Sequence, residues 1–424
     1  MTTADPRRVM ETVWRIESAR IIATLTRIVK DVGIAEELAQ DTMVIALEQW
    51  PVNGVPDDPG PWLMATAKHR AIDLVRRRVV YARKLAEVGR TFDEAQEPDY
   101  DLDDGNVQDD ILRLMFIACH PVLPPDGRTA LTLRLLGGLT TDEIARAFLE
   151  PSPTVGQRIS RAKKTLAVKQ VPFEIPAPDQ LSERLASVLE VIFLVFNEGY
   201  SATAGADWTR PNLCEEAMRL GRILAGLAPA EPEVHGLLAL MELQASRLGA
   251  RTAPDGAPIL LADQDRARWD RLLIRRGIAA LETARGIGGP IGPFVLQAEI
   301  AACHATATSA ADTDWARIAA LYQVLTYVWP SPVAELNRAV AVGLAGDPQA
   351  GLQIVAGLRD SLADYPQLPA VRADLLSRIG KHSEAAANYR RAAGLTRNDR
   401  EREVFLRKAA ECATAGRSAP GPGV

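Results

Sequence analysis

Two short polar segments place carboxylates where acid–base chemistry could occur. One is Asn197-Glu198-Gly199-Tyr200, and the other is Asp263-Gln264-Asp265. Carboxylates near a tyrosine can transfer protons, but no nucleophile, phosphate-binding loop or metal-ligand cluster accompanies them in the sequence. We therefore interpret both segments as helix caps, turns and buried polar contacts, and we predict that the protein is not an enzyme.

The cysteines do not indicate a metal site or a disulfide framework. Cys119, Cys214, Cys303 and Cys412 lie far apart, without a C-x-x-C pair. Two of them precede a histidine, but neighbouring side chains on a helix point about 100° apart. We expect reduced, mostly buried thiols, and neither a metal nor a cofactor.

A basic segment near the middle of the chain is a better candidate for a binding site. From 151 to 170 there are five bases and no acid, whereas from 91 to 110 there are nine acids and no lysine or arginine. The basic segment should attract DNA phosphates and the acidic one should repel them. The overall net charge of −5 does not by itself indicate nucleic acid.

The basic segment has the pattern of the second helix of a helix-turn-helix. Thr140 or Thr141 can cap a first helix, with Glu143 in its first turn. A turn then leads to a recognition helix over 153–168, anchored by an apolar inner face of Val155, Ile159 and Ala162. The residues predicted to reach the major groove are Thr154, Gln157, Arg158 and Arg161, with Lys163 and Lys164 placed for phosphates. The alternative is an ordinary helical hairpin with a basic outer face.

The composition and the apolar periodicity predict an all-α protein with several domains. With 47% hydrophobic and 24% charged residues, the chain resembles soluble globular proteins. Apolar residues recur every three or four positions along almost every segment. No apolar run approaches the roughly 20 residues that span a bilayer, and the first residues, MTTADPRRVMETVW, lack the layout of a signal peptide. We expect a cytosolic protein that does not bind a membrane.

Clusters of proline and glycine, together with the acidic stretch, divide the chain. We predict a helical domain at 8–90, an acidic flexible linker at 91–110, a second small helical domain at 111–170 and a large helical extension at 181–416. In the extension, a glycine turn between two helices over 368–392 is typical of a tetratricopeptide unit.

Two helices of the first domain carry charged faces. Over 34–50, an acidic stripe made of Glu37, Asp41 and Glu48 runs beside an apolar stripe. The next helix starts near Pro61 and ends on three consecutive arginines at 76–78. Faces of this kind are usually solvated helix surfaces, so on their own they do not identify a partner.

Together, the two domains resemble RNA polymerase sigma factors of the extracytoplasmic-function type, which retain the two sigma domains called regions 2 and 4. Residues 31–50 look like the helix that docks on polymerase, 61–77 like the promoter-melting segment and 131–164 like the domain that reads the minus-35 element. Segments at 197–202, 263–270 and 330–340 look like the sigma group that carries a tetratricopeptide-like extension. Gly156 departs from the usual recognition helix, which makes base readout at that position doubtful.

The resemblance implies a sigma factor that brings core RNA polymerase to promoter DNA. Core polymerase, through its clamp helices and flap, would be the protein partner, and the clamp helices would meet Glu37, Asp41 and Glu48. The residues implied for the minus-10 element are Trp62, Arg70, Arg76, Arg77 and Arg78. The loop at 51–61 could hold a flipped base. The extension would pack on the sigma domains and gate activity, and it could bind a regulatory protein.

Two other classes of protein remain open on the sequence alone. One is a stand-alone helix-turn-helix regulator with a helical sensor domain, and the other is a helical scaffold that binds proteins and no DNA. An acidic docking helix followed by an arginine-rich helix with a tryptophan has no role in an ordinary repressor. The first domain therefore favours the sigma factor.

Overall fold

The computed structural model describes residues 6–88, 107–148, 150–201, 209–253 and 258–418. The chain divides into two compact units, 1–194 and 195–424. Regular structure in the described residues is helical, apart from isolated β-bridge residues such as the pair Thr252 and Pro258. The predicted all-α class is confirmed. None of the described helices is both long and apolar enough to cross a bilayer.

The first unit contains seven complete helices and most of an eighth. They are α1 Pro6–Val29, α2 Val32–Asn53, α3 Pro59–Val88, α4 Val107–Ala118, α5 Pro125–Leu135, α6 Thr141–Phe148, α7 Ser152–Val168 and α8 Pro178–Tyr200. Helix α1 packs against α2, α3 and α4, while α7 packs against α5 and α6. The predicted helices at 34–50 and 153–168 therefore exist as α2 and α7, and each begins within two residues of its predicted start.

Helix α2 begins where the sequence provides a capping residue. The side chain of Asp31 accepts a hydrogen bond from the backbone N–H of Ile34 at 2.9 Å, which satisfies one of the free donors of the first turn. Apolar residues three and four positions apart then face the core. The buried apolar residues of α2 are Val32, Ala35, Leu38, Ala39, Ala46 and Trp50.

The second domain starts earlier than the sequence predicts. Helix α4 begins at Val107, so the last residues of the predicted linker at 91–110 are helical. Asp110 is fully buried, and its carboxylate accepts hydrogen bonds from Arg27 at 3.0 Å and Arg113 at 2.8 Å. A count of acidic residues does not reveal which of them are paired in a core, and for this reason the composition alone extended the linker too far. Residues 91–106 of the predicted linker lie outside the described residues.

Helices α2, α5 and α7 meet at one buried carboxylate. Glu36 of α2 is only 3% exposed, and it accepts hydrogen bonds from Nε of Arg134 in α5 at 2.7 Å and from Nζ of Lys163 in α7 at 2.6 Å. Burial by itself would raise the pKa of Glu36, but the two cations together outweigh it, and the pKa lies below its ordinary value. Glu36 is therefore ionised at neutral pH. We call Glu36, Arg134 and Lys163 the clasp.

In the described residues, the second unit holds ten further helices. They are α9 Pro211–Leu227, α10 Pro232–Ala245, α11 Arg271–Ile287, α12 Pro293–Thr306, α13 Trp315–Val328, α14 Pro332–Leu344, α15 Pro348–Gly357, α16 Gln367–Arg378, α17 His382–Leu395 and α18 Asp399–Ser418. Three short 3-10 turns lie at 248–250, 261–263 and 266–268. Consecutive helices pack against each other from α9 to α18, so the unit is a chain of helical hairpins.

The hairpin predicted over 368–392 is formed by α16 and α17. Gly380 lies in the turn with φ of +78°, a conformation that favours glycine. Small residues such as Ala373 and Ala385 are fully buried where the helices approach, and Tyr389 is 3% exposed beside them. The segment at 335–350 forms most of α14 and the start of α15, and α14 packs against α16.

The clasp predicts a pH-dependent contribution to stability. Replacing Glu36 by glutamine should destabilise the first unit by about 1–3 kcal/mol at pH 7, because an amide does not compensate the two cations. The folded-state pKa of Glu36 is depressed, so its contribution is present above the unfolded value of about 4.3 and is lost as the pH falls through the folded value. The difference between wild type and Glu36→Gln should therefore shrink below about pH 4. This difference in stability is measured by urea unfolding, monitored through hydrogen exchange in peptides of α2 and α7.

The neighbouring residue provides a matched control for this measurement. Glu37 is exposed on the same turn of α2, so Glu37→Gln should change stability by less than about 0.5 kcal/mol. The ionic contribution of the clasp would be contradicted if Glu36→Gln and Glu37→Gln had the same free energy of unfolding at pH 7. It would also be contradicted if the loss of stability in Glu36→Gln were as large below pH 4 as at pH 7.

Candidate nucleic-acid and polymerase interface

Helix α6 begins with a reciprocal pair of hydrogen bonds. The backbone N–H of Glu143 donates to Oγ1 of Thr140 at 3.1 Å, and the backbone N–H of Thr140 donates to Oε2 of Glu143 at 2.8 Å. This is a capping box. Of the two threonines that the sequence left open, Thr140 is the cap. The cap fixes where the first helix of the predicted helix-turn-helix begins, and Ile144 and Ala145 are buried behind it.

Helix α7 is held by an apolar inner face. Val155, Ile159 and Ala162 are buried as the sequence predicts, and Leu166 extends the same row by one more turn. Pro153 lies in the first turn of α7, where its missing N–H costs no helical hydrogen bond. The sequence therefore gives both the position of α7 and the face that it buries.

Four of the six predicted minus-35 residues are exposed on the opposite face of α7. These are Thr154, Gln157, Arg161 and Lys164. Side chains of these types can donate to base edges or phosphates in a major groove. The geometry leaves them accessible from solvent, and their contact with DNA stays a prediction.

Arg158 and Lys163 are engaged within the chain, contrary to what the sequence predicts. Arg158 is half-buried and forms ion pairs with Glu150 at 2.8 Å and with Asp126 at 3.5 Å. Lys163 points toward α2 and belongs to the clasp, with its partner Glu36 127 residues away in sequence. Helical periodicity places a residue on a face but does not show which part of the chain covers that face. In this state, α7 offers fewer cations to phosphates than its sequence indicates.

Glu36 is a buried charged residue that was not predicted from the sequence. It lies four residues after the buried Val32 and three before the buried Ala39, and therefore in the apolar row of α2. An acid in an apolar row costs free energy unless a cation pairs with it. The position of Glu36 in this apolar row could therefore have predicted a buried ion pair.

Gly156 is not required by the packing of α7. A Cβ built at this glycine would meet only Cγ2 of Thr141, at 3.7 Å, which is an ordinary van der Waals contact. The contact between α6 and α7 would thus accept an alanine. The structure provides no side chain for base readout at 156, in agreement with the doubt raised by the sequence.

The predicted minus-10 residues lie on α3, but the loop before it is shorter than expected. Residues 51–53 belong to α2 and 59–61 to α3, which leaves 54–58 as the connection rather than 51–61. Trp62 is half-buried, and its ring packs edge-on against that of Trp50 at 5.7 Å. The three arginines at 76–78 are exposed. A flipped base would thus meet a shorter loop next to a tryptophan that is already partly covered.

The acidic residues predicted to meet polymerase are exposed on α2. Glu37, Asp41 and Glu48 all lie at the surface. Asp41 forms an ion pair with Arg70 of α3 at 2.5 Å, and both side chains remain largely accessible. A predicted polymerase contact and a predicted DNA contact therefore bind each other in this structure.

The segments that raised the question of catalysis have structural roles. Glu198 forms an ion pair with Arg210. A Cβ at Gly199 would come within 2.7 Å of the backbone N of Cys214, so only glycine fits this close approach. Asp265 caps a 3-10 turn by accepting from the N–H of Ala267 at 2.9 Å. The interpretation of these residues as caps and buried polar contacts is confirmed.

The cysteines are free thiols, and three of the four are buried. Burial raises the pKa of Cys119 to about 11 and that of Cys214 to about 12, so both are neutral at pH 7. Within the described part of the chain, no group of histidine, cysteine and acidic side chains could hold a metal ion.

Three protein-family models match separate parts of the chain. Sigma-70 region 2 matches residues 15–79, and Sigma-70 region 4 matches residues 113–166. A family of unknown function (DUF6596) matches residues 184–285. The two sigma models coincide with α1–α3 and with α4–α7, the helices that carry the acidic face, the arginines and the helix-turn-helix.

Two curated proteins are similar to this chain over different lengths. The uncharacterized protein R00370 of Rhizobium meliloti is 42% identical over 385 residues, which cover 90% of each chain. The probable ECF RNA polymerase sigma factor SigI of Mycobacterium tuberculosis is 25% identical over 167 residues, or 39% of this chain and 56% of SigI. Among solved structures, yeast Tom70 gives a TM-score of 0.32 with 13% identity over 99% of this chain and 87% of its own, a likeness too low to bear on the fold.

The length of the match to R00370 and the two sigma models together identify the chain. Region 2 precedes region 4, as the resemblance implied, and both lie in the first unit. The chain belongs to the same family as R00370, and it carries the region 2 and region 4 domains of an ECF-type RNA polymerase sigma factor.

Proposed function

We propose that this protein binds core RNA polymerase, directs it to specific promoters for transcription initiation, and is modulated by its helical second unit. The observation that carries the proposal is the order of exposed charged surfaces along the two sigma regions. Acids lie on α2, arginines follow at the surface of α3, and the accessible face of α7 comes last. In vitro transcription with purified core polymerase tests the proposal, since a protein that forms no holoenzyme cannot have this role.

Polymerase binding is assigned to the acidic face of α2. Glu37 and Glu48 are exposed and have no ion pair within the described residues, whereas Asp41 already pairs with Arg70. Negative charge on a helix suits a basic coiled coil such as the clamp helices. Complementary charge of this kind mainly sets the rate and orientation of arrival.

Reversing two of these charges should weaken holoenzyme formation. The double variant Glu37→Lys with Glu48→Lys should lower core affinity by about ten-fold at low salt, and by less at high salt because the charges are exposed. Asp41 is left intact so that its pair with Arg70 survives. Fluorescence anisotropy with labelled protein measures the affinity.

The matched control carries the same change in net charge elsewhere. Glu183→Lys with Glu282→Lys alters two exposed acids outside α2 and should bind core polymerase like the wild type. Equal affinities for the two double variants would mean that α2 has been assigned the wrong partner.

Promoter binding requires the clasp to open. The minus-10 and minus-35 elements lie about 25 base pairs apart, or roughly 85 Å at 3.4 Å per pair. In this structure, α2 and α7 are joined by a 2.6 Å contact between Glu36 and Lys163. Region 2 and region 4 cannot hold that contact while each sits on its own element. Opening would release Lys163 for a phosphate, which supports its predicted role in the DNA-bound state.

Arg161 is the best residue with which to test the assignment of α7. It is exposed on the outer face, and loss of one base contact by an arginine typically costs about 1–3 kcal/mol. We expect Arg161→Ala to weaken promoter binding by the holoenzyme ten-fold or more and to relax the preference at one minus-35 position. Lys164→Ala should instead weaken binding to all promoter sequences equally. It should also reduce the slope of log affinity against log salt concentration by about 1.

Binding to a panel of promoters with single minus-35 changes measures both effects. Arg275→Ala, which removes an exposed arginine from α11, is the control and should leave binding unchanged. If Arg161→Ala keeps the full promoter preference, another face of the protein reads DNA.

Modulation by the second unit needs a truncation that spares α8. Arg184 donates to the carbonyl of Phe116 at 2.8 Å, and Ser187 donates to the carbonyl of Cys119 at 2.6 Å. A chain ending after Gln170 would lose these contacts with α4. We therefore expect a chain ending at Ser201 to keep the first unit folded while promoter activity changes more than five-fold from that of the full chain. Unchanged activity would deny the second unit a regulatory role.

A further inference from the structure

The second unit contains a cavity of about 430 Å³ on the inner side of α14, α16 and α18. Residues of the segment 260–266 and His304 in the last turn of α12 also line the cavity, which is open to solvent. This volume falls within the range of sites that bind small molecules, roughly 300–1,000 Å³. None of the residues discussed for polymerase or promoter binding lies in it.

The walls of the cavity are apolar. Leu344 on α14, Val371 and Leu375 on α16 and Phe405 on α18 all contribute to the lining. Leu375 and Phe405 also belong to the packed core between these helices. Such walls favour the hydrocarbon or aromatic part of a ligand.

Two cations share one carboxylate at the α16–α18 end. Asp374 lies 3.3 Å from Nε of Arg378 and 3.5 Å from Nζ of Lys408. The hydroxyl of Tyr389 donates to the same carboxylate at 3.2 Å, and Lys408 lies over the Tyr389 ring at 5.4 Å. Asp374 thus positions both cations, yet it neutralises only one of them. A net positive charge remains at this end of the cavity.

The opposite end adds a third cation and an unpaired imidazole. Arg266 donates to the carbonyls of His304 and Ala307 at 2.6 and 2.7 Å, and the hydroxyl of Thr313 accepts at 3.2 Å. Burial and the nearby arginines lower the pKa of His304 to about 4, so its ring is neutral at pH 7. The buried Nδ1 of His304 has no hydrogen-bond partner within the described residues.

An extended peptide is a poor occupant. A peptide needs donors and acceptors for its own backbone groups along its whole length. Among the lining residues that the structure describes, the one carboxamide is Gln367, and it already donates to Glu401. The apolar walls leave few other partners. A compact ligand with a single charged group fits better.

We propose that this cavity binds an amphipathic organic anion. Its apolar body lies against Leu344, Val371 and Phe405, and its oxyanion lies between Lys408 and Arg378. His304 lines the far end of the cavity. Asp374 is the one carboxylate among the described residues that line the cavity, and Asp312 outside the lining interacts with Arg266. The charged lining therefore favours an anion over a cation.

A pair of fluorescent probes tests the proposal on the full chain. One is 1-anilinonaphthalene-8-sulfonate, and the other is N-phenyl-1-naphthylamine, which has the same rings without the sulfonate. The sulfonate probe should bind saturably, with one site per chain, and octanoate should displace it while octanol should not. Lys408→Gln should lower the affinity for the sulfonate probe about ten-fold, the usual scale for losing a charge-assisted contact. The affinity for the neutral probe should not change.

Two further variants locate the site. Lys381→Gln removes an exposed cation that lies outside the cavity and should bind both probes as the wild type does. Leu344→Trp should fill the cavity and exclude both. The proposal fails if Lys408→Gln and Lys381→Gln bind the sulfonate probe with equal affinity. It also fails if octanol displaces the probe as well as octanoate does. In either case the probe binds apolar surface without recognition of its charge. These measurements need neither polymerase nor promoter, so their failure would leave the proposed function standing.

Discussion

The first unit depends on keeping one carboxylate ionised in its interior. Glu36 is covered by protein, and a buried charge is tolerated only when cations and hydrogen bonds replace the water that it loses. Arg134 and Lys163 meet that requirement from two other helices, and in doing so they bring region 4 against region 2. The same interaction engages a lysine that the sequence predicts to contact DNA. Under the proposed function, packing of the closed unit and binding of promoter phosphates would compete for this side chain.

What could be predicted from the sequence is what depends on residues three or four positions apart. The capping box of α6, the buried row of α7 and the glycine turn before α17 follow from local spacing, and all are found. The clasp could not be predicted in full, because Glu36 is 98 residues from Arg134 and further still from Lys163. The position of Glu36 in the apolar row of α2 indicates that it is buried, but no local sequence pattern identifies the residues that pair with it. The early start of α4 was missed for the same reason, since the partner of Asp110 is in α1.

The second unit shows the same limit at a larger scale. Its helices and the structural role of the segment around Glu198 follow from the sequence, whereas the cavity does not. Arg266, Asp374 and Lys408 come from separate stretches of chain and meet because successive hairpins stack. Their individual contexts resemble ordinary surface positions. The packing of successive hairpins places all three in the lining of one cavity.

Under the proposed function, the ion pair between Asp41 and Arg70 would link polymerase binding to DNA binding thermodynamically. If polymerase takes Asp41 as a partner, Arg70 is released toward DNA, and if DNA takes Arg70, Asp41 is released toward polymerase. Reciprocity requires each ligand to raise the affinity for the other by the same factor. Both side chains are about half exposed, and exposed pairs contribute at most about 1 kcal/mol, so the factor is no more than roughly five. One surface contact would thus make holoenzyme assembly and promoter capture weakly cooperative without any change of fold.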